Sequence, residues 1–76
     1  DAHTTFLDAR LTVEEVNEQL NLALPTDRAL TIGGLIYDLL GRIPRAGESV
    51  SLGGVQLTVD KIDRRTIERV KLTIKQ

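Results

Sequence analysis

The spacing of apolar residues changes along this chain, and that change limits the possible folds more than any other feature. From Thr12 to Leu20 and again from Thr31 to Leu40 the apolar side chains recur every three or four positions, as on one face of a helix. A connector broken by Pro25, Asn21 to Arg28, separates the two stretches. From Gly47 onward the apolar side chains alternate with polar residues, and a short alternating stretch, Thr5 to Arg10, precedes the helical part. The predicted order is therefore β-α-α-β-β-β, a two-layer α+β domain in which two helices pack on one face of an antiparallel sheet.

The first helix has a clear start. Thr12 and Glu15 form a capping box, in which the threonine hydroxyl accepts from a first-turn amide and the glutamate reaches back to the cap. Leu11 and Val16 stand where a hydrophobic staple requires them. The buried stripe of this helix is predicted to contain Val13, Val16 and Leu20.

The second helix is predicted from Thr31 to Leu40, with Gly41 in the left-handed position that ends many helices. Its apolar stripe is Ile32, Leu35, Ile36, Leu39 and Leu40. The loop that follows, Arg42-Ile43-Pro44-Arg45, places an apolar residue between two cations. It could be a docking point, but we favour the interpretation that Ile43 plugs the end of the core.

Three strands are predicted in the second half of the chain. Gly53-Gly54 is a two-residue hairpin signal, and Asp63-Arg64-Arg65 marks a second turn. The alternating apolar residues are Val50 and Leu52, then Val55, Leu57 and Val59, then Val70, Leu72 and Ile74. The 76 residues form one domain, since a chain of this length supports a single thin core. We expect Leu35 and Val70 to lie in that core.

Gly33 and Gly34 are unusual inside a helix, where each costs about 1 kcal/mol relative to alanine. Bare amides at a helix N-terminus could bind an anion. Alternatively, a neighbouring backbone approaches so closely that no Cβ fits. We favour close packing, because neither a GxGxxG motif nor a P-loop lysine accompanies the two glycines.

Charge is distributed unevenly along the chain. Residues 1–38 contain seven acidic and two basic side chains, net −5, whereas residues 39–76 contain four acidic and eight basic side chains, net +4. Such asymmetry can mark a partner surface. We favour the alternative that the two halves neutralise each other within the folded domain.

The last strand carries the residues that we predict to contact a partner. If its apolar side chains face the helices, then Arg69, Lys71 and Lys75 point to the other side, and Arg64 and Arg65 extend this basic face at the preceding turn. The same lysines could instead protect an exposed sheet edge. We do not predict a nucleic-acid partner, because Phe6 and Tyr37 are the only aromatic residues for stacking.

The composition gives little support to an enzyme or a metal site. The chain has no cysteine and one histidine, His3, near a terminus. Glu14, Glu15 and Glu18 could attract a hard cation, but acidic residues are also favoured in the first turn of a helix, and we favour a solvated face. We therefore predict no catalytic residue, no metal ligand and no cofactor. No apolar run reaches the ~20 residues that a membrane span needs.

The chain resembles the CorC/HlyC transporter-associated domain over nearly its whole length. The resemblance is carried by Asp8-Ala9-Arg10-Leu11, Val16-Asn17-Glu18, Thr31-Ile32-Gly33-Gly34-Leu35-Ile36, Gly41-Arg42-Ile43-Pro44, Gly47-Glu48, Gly53-Gly54 and Arg65-Thr66-Ile67-Glu68-Arg69-Val70. Ala9 departs from the glycine that is more frequent in the family.

The resemblance implies a C-terminal accessory domain of a longer chain, and the absence of methionine agrees with an excised piece. Such domains follow a pair of CBS domains, often behind a membrane-embedded region, in magnesium and cobalt efflux or hemolysin-like proteins. The implied function is a non-catalytic regulatory or interaction module at the cytoplasmic face of the membrane. Its partners would be the CBS domains and membrane region of its own chain, or a second copy in a homodimer. The alternative is a nucleotide- or flavin (FAD)-binding module.

Overall fold

A computed structural model describes residues 3–75. Its elements are β1 (Thr4–Asp8), α1 (Val13–Leu20), α2 (Ile32–Leu40), β2 (Ser49–Leu52), β3 (Val55–Asp63) and β4 (Thr66–Ile74). The predicted order of strands and helices is confirmed. The first strand ends at Asp8 rather than Arg10, because the N–H of Leu11 turns back to donate to the carbonyl of Asp8 (3.1 Å).

The four strands form one antiparallel sheet in the order β1-β4-β3-β2. β4 therefore pairs on both sides, and β1 and β2 are the edges. The interpretation that the basic residues of the last strand protect a sheet edge is wrong. Alternation in a sequence assigns side chains to faces, but it does not say which strand lies beside which.

Both helices pack on one face of the sheet, where the core lies. Leu35 on α2 and Val70 on β4 are fully buried, as predicted. The pairing of β3 with β4 is irregular between Val59 and Ile62, so Ile67 and Val70 are both buried although they are three residues apart. The remaining buried apolar residues are Leu7, Ala9, Val13, Val16, Leu24, Ile32, Ile36, Val55, Leu57, Val59 and Leu72.

The two helices begin side by side. The capping box of α1 is present, with the Glu15 N–H 3.0 Å from Oγ1 of Thr12 and the Thr12 N–H 2.9 Å from Oε1 of Glu15. Thr12 also forms an isolated antiparallel bridge with Thr31, the N-cap of α2. The N-cap residues of the two helices are therefore joined to each other in the fold.

The loop after α2 corrects one prediction. Gly41 has φ +71° and ends the helix as expected. Ile43, however, is 47% exposed, whereas Pro44, the next residue, is buried. The interpretation of Ile43 as a plug is therefore wrong, and the docking point stays a prediction for this exposed side chain.

Candidate interaction surface

The structure divides the five predicted contact residues into two groups. Arg64 and Arg65 form the turn between β3 and β4, which we call the hairpin tip. Arg69, Lys71 and Lys75 alternate with the buried residues of β4 and its extension, so they lie on the sheet face opposite the helices. We call this side of the sheet the open face. The predicted orientation of the last strand is thus correct.

The hairpin tip is held in place by a side chain that sequence reasoning missed. The hydroxyl of Tyr37, on α2, donates to the carbonyl of Arg65 and accepts from the N–H of Ile67 (3.1 Å). The available signal was a tyrosine on a helix whose only other polar side chain is Asp38, because a half-buried tyrosine hydroxyl generally finds a polar partner. Arg64 has φ +59°, which is uncommon for a residue with a side chain.

The three cations of the open face differ in how far they are engaged. Nε of Arg69 lies 2.5 Å from Oδ2 of Asp60, and its guanidinium stands 5.3 Å from the ring centroid of Phe6. Nζ of Lys75 lies 2.6 Å from Oγ of Ser51. Lys71 is half-buried in the row between Phe6 on β1 and Thr58 on β3.

Ion pairing leaves several cations unused. Four ion pairs join described residues: Asp8 with Arg10, Arg28 with Asp38, Arg42 with Glu48, and Asp60 with Arg69. The side chains of Lys61, Arg64, Arg65 and Lys71 make no hydrogen bond or ion pair with a described residue. Three of the five predicted contact residues are therefore available to a partner.

The same ion pairs bear on the two interpretations of the charge asymmetry. Each pair lies within residues 1–38 or within residues 39–76, so none joins the two halves. The helical segment 11–41 has five acidic residues and one basic residue, net −4, while residues 3–10 and 42–75 have five acidic and nine basic residues, net +4. The favoured interpretation, mutual neutralisation, is not supported by any direct ion pair across the halves.

Two carboxylates near the hairpin-tip end of the sheet have lowered pKa values because they accept several hydrogen bonds. Hydrogen bonds from the Arg10 side chain lower the pKa of Asp8 to about 2. Hydrogen bonds from the Arg42 side chain and the Arg45 N–H lower the pKa of Glu48 to about 2. Both groups stay ionised near neutral pH, so Arg10 and Arg42, whose side chains are paired with them, do not add to the available positive charge.

Close packing explains the first of the two glycines of α2. A Cβ on Gly33 would lie 3.0 Å from the Cβ of Ala9 and 3.2 Å from its carbonyl oxygen. The first-turn N–H groups are all engaged, by the carbonyls of Leu11 and Ala9 and by Oγ1 of Thr31. The alternative anion site has no free donor among these amides, so it is excluded.

The acidic residues of α1 are not gathered at one point of the structure. Within residues 3–75, no three histidine or acidic side chains are grouped closely enough to hold a metal ion. One of the three glutamates, Glu15, caps its own helix, and Glu14 and Glu18 are exposed. The same described residues contain no helix long and apolar enough to cross a membrane.

A shallow cleft of about 320 Å³ lies between the end of β1 and the start of β4. Its lining is Asp8, Arg10, Thr66, Ile67 and Glu68. This volume is at the lower limit of the ~300–1,000 Å³ typical of small-molecule pockets. Asp8 and Arg10 are also paired with each other, which leaves few polar groups for a ligand.

Curated proteins of similar sequence match nearly the whole chain. The chain is 32% identical over 72 residues to the magnesium and cobalt efflux protein CorC of Escherichia coli K12, covering 95% of this chain and 25% of that protein. It thus spans about a quarter of the length of the curated relatives it matches.

Solved structures of similar domains have nearly the same fold as this chain. The CorC-associated region of a putative Mg²⁺ and Co²⁺ transporter from Neisseria meningitidis MC58 is 31% identical, with a TM-score of 0.88 over 97% of this chain and 91% of that one. A Xylella fastidiosa hemolysin domain in complex with Mg²⁺ and Mn²⁺ is 25% identical, with a TM-score of 0.87 over 96% and 89%. The domain of a CBS domain protein from Porphyromonas gingivalis, at 18% identity, shares the fold, with a TM-score of 0.85 over 97% and 91%.

The family model of the transporter associated domain matches residues 1–76, the whole chain. The sequence resemblance is thereby confirmed. The chain belongs to the CorC/HlyC transporter associated domain family.

Proposed function

We propose that this chain is a non-catalytic regulatory and interaction module of an ion-transport protein that contains CBS domains. Its relatives include magnesium and cobalt efflux proteins about four times its length, which supports a role as one part of such a protein. The proposed location is the cytoplasmic face of the membrane, next to the CBS domains and membrane region of the same host chain.

One observation carries the proposal: the two cations of the hairpin tip form no ion pair with a described residue. Arg64 and Arg65 have no ion-pair partner among the described residues, and Tyr37 fixes the turn that presents them. A rigid turn loses little conformational freedom on binding, which favours even a small contact. Lys71 extends this surface on the open face, while Arg69, already bound to Asp60, helps to shape it.

The partner is proposed within the host chain because tethering compensates for a weak contact. A short linker gives an effective concentration on the order of millimolar, so a contact too weak to form between free molecules can still be populated. Regulation would follow if one transport state brings acidic groups of the CBS pair to the tip and another state removes them.

Two alternatives are less well supported. A nucleotide or flavin would need phosphate-binding donors, and the first-turn amides of α2 are already engaged. For catalysis, neither serine hydroxyl is hydrogen-bonded to a histidine or a carboxylate among the described residues: Ser49 accepts from Gln56, and Ser51 accepts from Lys75 on the exposed surface.

The test reverses the tip charges in the full-length host protein. We expect Arg64→Glu with Arg65→Glu to weaken binding of the host's CBS pair about tenfold, because two rim charges each contribute up to about 1 kcal/mol. Ion efflux should change in parallel. The melting temperature of the 76-residue chain should stay within a few degrees of the parent's, because neither side chain has a described partner.

The matched control is Lys75→Glu, a charge reversal at the opposite end of the sheet. It should leave both binding and efflux close to those of the parent protein. Unchanged binding and efflux in the tip variant, with folding intact, would remove the hairpin tip from the mechanism. An equal loss in the control would show that net charge, rather than the tip, decides the contact.

A further inference from the structure

The two edges of the sheet are not equally protected. β2 is short, with four residues, and carries Ser49 and Ser51 on its exposed positions. β1 is Thr-Thr-Phe-Leu-Asp, which has strong strand formers and none of the lysine, proline or bulge devices that usually guard an edge. Its Phe6 is 54% exposed.

The alternation of hydrogen-bonded residues along β1 shows which backbone groups the strand exposes at this edge. The carbonyl of His3 accepts from the Ile74 N–H (2.8 Å), and the Ala9 N–H donates to the Glu68 carbonyl (3.1 Å). In an antiparallel ladder every second residue bonds to the same neighbour, so Thr5 and Leu7 also face β4. The backbone groups of the residues between them, Thr4, Phe6 and Asp8, point away from the sheet. The carbonyl of Asp8 already accepts from the Leu11 N–H (3.1 Å), which leaves one lone pair of that oxygen for a neighbouring strand.

The outward groups are spaced symmetrically about Phe6. An antiparallel copy placed against this edge would set Phe6 opposite Phe6 and Thr4 opposite Asp8, and both are hydrogen-bonded pairs. The two aromatic rings would be cross-strand neighbours, an arrangement that stabilises sheets. Because Asp8 is paired with Arg10 (2.9 Å), the strand carries no unpaired charge that would repel its copy.

We propose that β1 pairs antiparallel with β1 of a second copy, with Phe6 on the twofold axis, and joins two four-stranded sheets into one of eight strands. The interface is a single strand of five residues, about 17 Å long, so it belongs to the small, weak class. It forms at high concentration in the isolated domain, or when a dimeric host holds two copies together.

Proline at position 6 gives a sharp test, because the Phe6 N–H faces away from β4. Phe6→Pro removes the central outward donor without deleting a β1–β4 hydrogen bond. Ser51→Pro is the matched control on the other edge, since the Val59 N–H donates to Glu48 and parity turns the Ser51 N–H outward as well. Phe6→Lys is a second variant that keeps the N–H but places like charges opposite each other on the axis.

The measurement is sedimentation of the 76-residue chain over roughly 10 µM to 1 mM, together with amide exchange. We expect the parent chain and Ser51→Pro to dimerise as concentration rises, with slower exchange at Phe6 and Thr4. Both Phe6 variants should dimerise at least tenfold more weakly. The proposal is overturned if the parent stays monomeric with exchange independent of concentration, if both folded Phe6 variants dimerise normally, or if Ser51→Pro alone abolishes the dimer.

Discussion

The N-terminus of α2 and the hairpin tip are two regions where positive potential could attract an anionic partner, and they differ in what the fold leaves free. At the helix start the N–H groups of Ile32, Gly33 and Gly34 are all bound to oxygen atoms of the protein. At the tip, the guanidinium groups of Arg64 and Arg65 have no described partner. A local pattern therefore identifies potential donors, but the packing around it decides whether they are available.

The difference follows from the two positions in the fold. The start of α2 lies against Ala9, so its amides are the groups that join the helical layer to the end of β1. The tip projects from the sheet and is attached to α2 through its backbone only, by way of Tyr37. Because Tyr37 binds only backbone groups at the tip, the side chains of the two arginines are not used to hold the turn.

The comparison can be tested by mutation, and the largest loss of stability is expected for a substitution at Gly33. Gly33→Ala should destabilise the domain, because its Cβ would press on both the side chain and the carbonyl of Ala9, and overpacking of this kind costs roughly 1–3 kcal/mol. The gain from helix propensity, about 1 kcal/mol, offsets only part of that cost. Urea denaturation measures the difference.

Gly34→Ala is the matched control in the same turn. Its Cβ would meet Oγ1 of Thr31 at 3.1 Å and Cβ of Ala29 at 3.4 Å, which are side-chain atoms rather than backbone. We expect a change of under about 1 kcal/mol, since the loss in packing is offset by propensity. If Gly33→Ala proved more stable than the parent, the close-packing explanation would fail and the amides of α2 would need another role.

A smaller loss of stability is expected when the hydroxyl of Tyr37, which links α2 to the hairpin tip, is removed. Tyr37→Phe keeps the ring and removes the hydroxyl that binds Arg65 and Ile67, at a cost of about 1–2 kcal/mol. Amide exchange at Ile67 should accelerate more than exchange in β1. Ser49→Ala, which removes the exposed hydroxyl bound to Gln56, should be nearly neutral in comparison. Equal protection of Ile67 in both variants would show that Tyr37 does not hold the tip.

The smallest effect is expected from pH. The pKa values of Asp8 and Glu48 are about 2, below the ordinary value of roughly 4. A lowered pKa in the folded state contributes stability above the ordinary value, and this contribution is lost as pH falls from roughly 4 to about 2. The melting temperature should therefore drop over this range, and the drop should be smaller in Glu48→Gln.

The tip provides the control for this pH effect. Arg64→Gln with Arg65→Gln should melt with the same pH dependence as the parent, because these arginines have no carboxylate partner to lose among the described residues. A changed profile in this double variant would mean that the tip is paired after all.

Much of the fold could be predicted because it is encoded locally. The capping box at Thr12, the left-handed Gly41 and the alternation of β4 depend on neighbouring residues, and the structure confirms all three. The position of β4 between β1 and β3 was missed, since strand neighbours depend on a connection of two helices rather than on any local pattern. Ile43 was also assigned wrongly, because the loop contained two apolar residues and only packing chose Pro44.

The candidate surface divides in the same way. The sequence by itself determined that Arg64, Arg65, Arg69, Lys71 and Lys75 lie at a turn and on the outer side of the last strand, because a strand has a side-chain period of two. Only the tertiary structure decided which of them are available. Asp60 binds Arg69, Ser51 binds Lys75, and Tyr37 holds the turn at Arg65. These contacts cross between elements, and hydrogen bonding between residues distant in sequence depends on distances that only the assembled sheet and helices set.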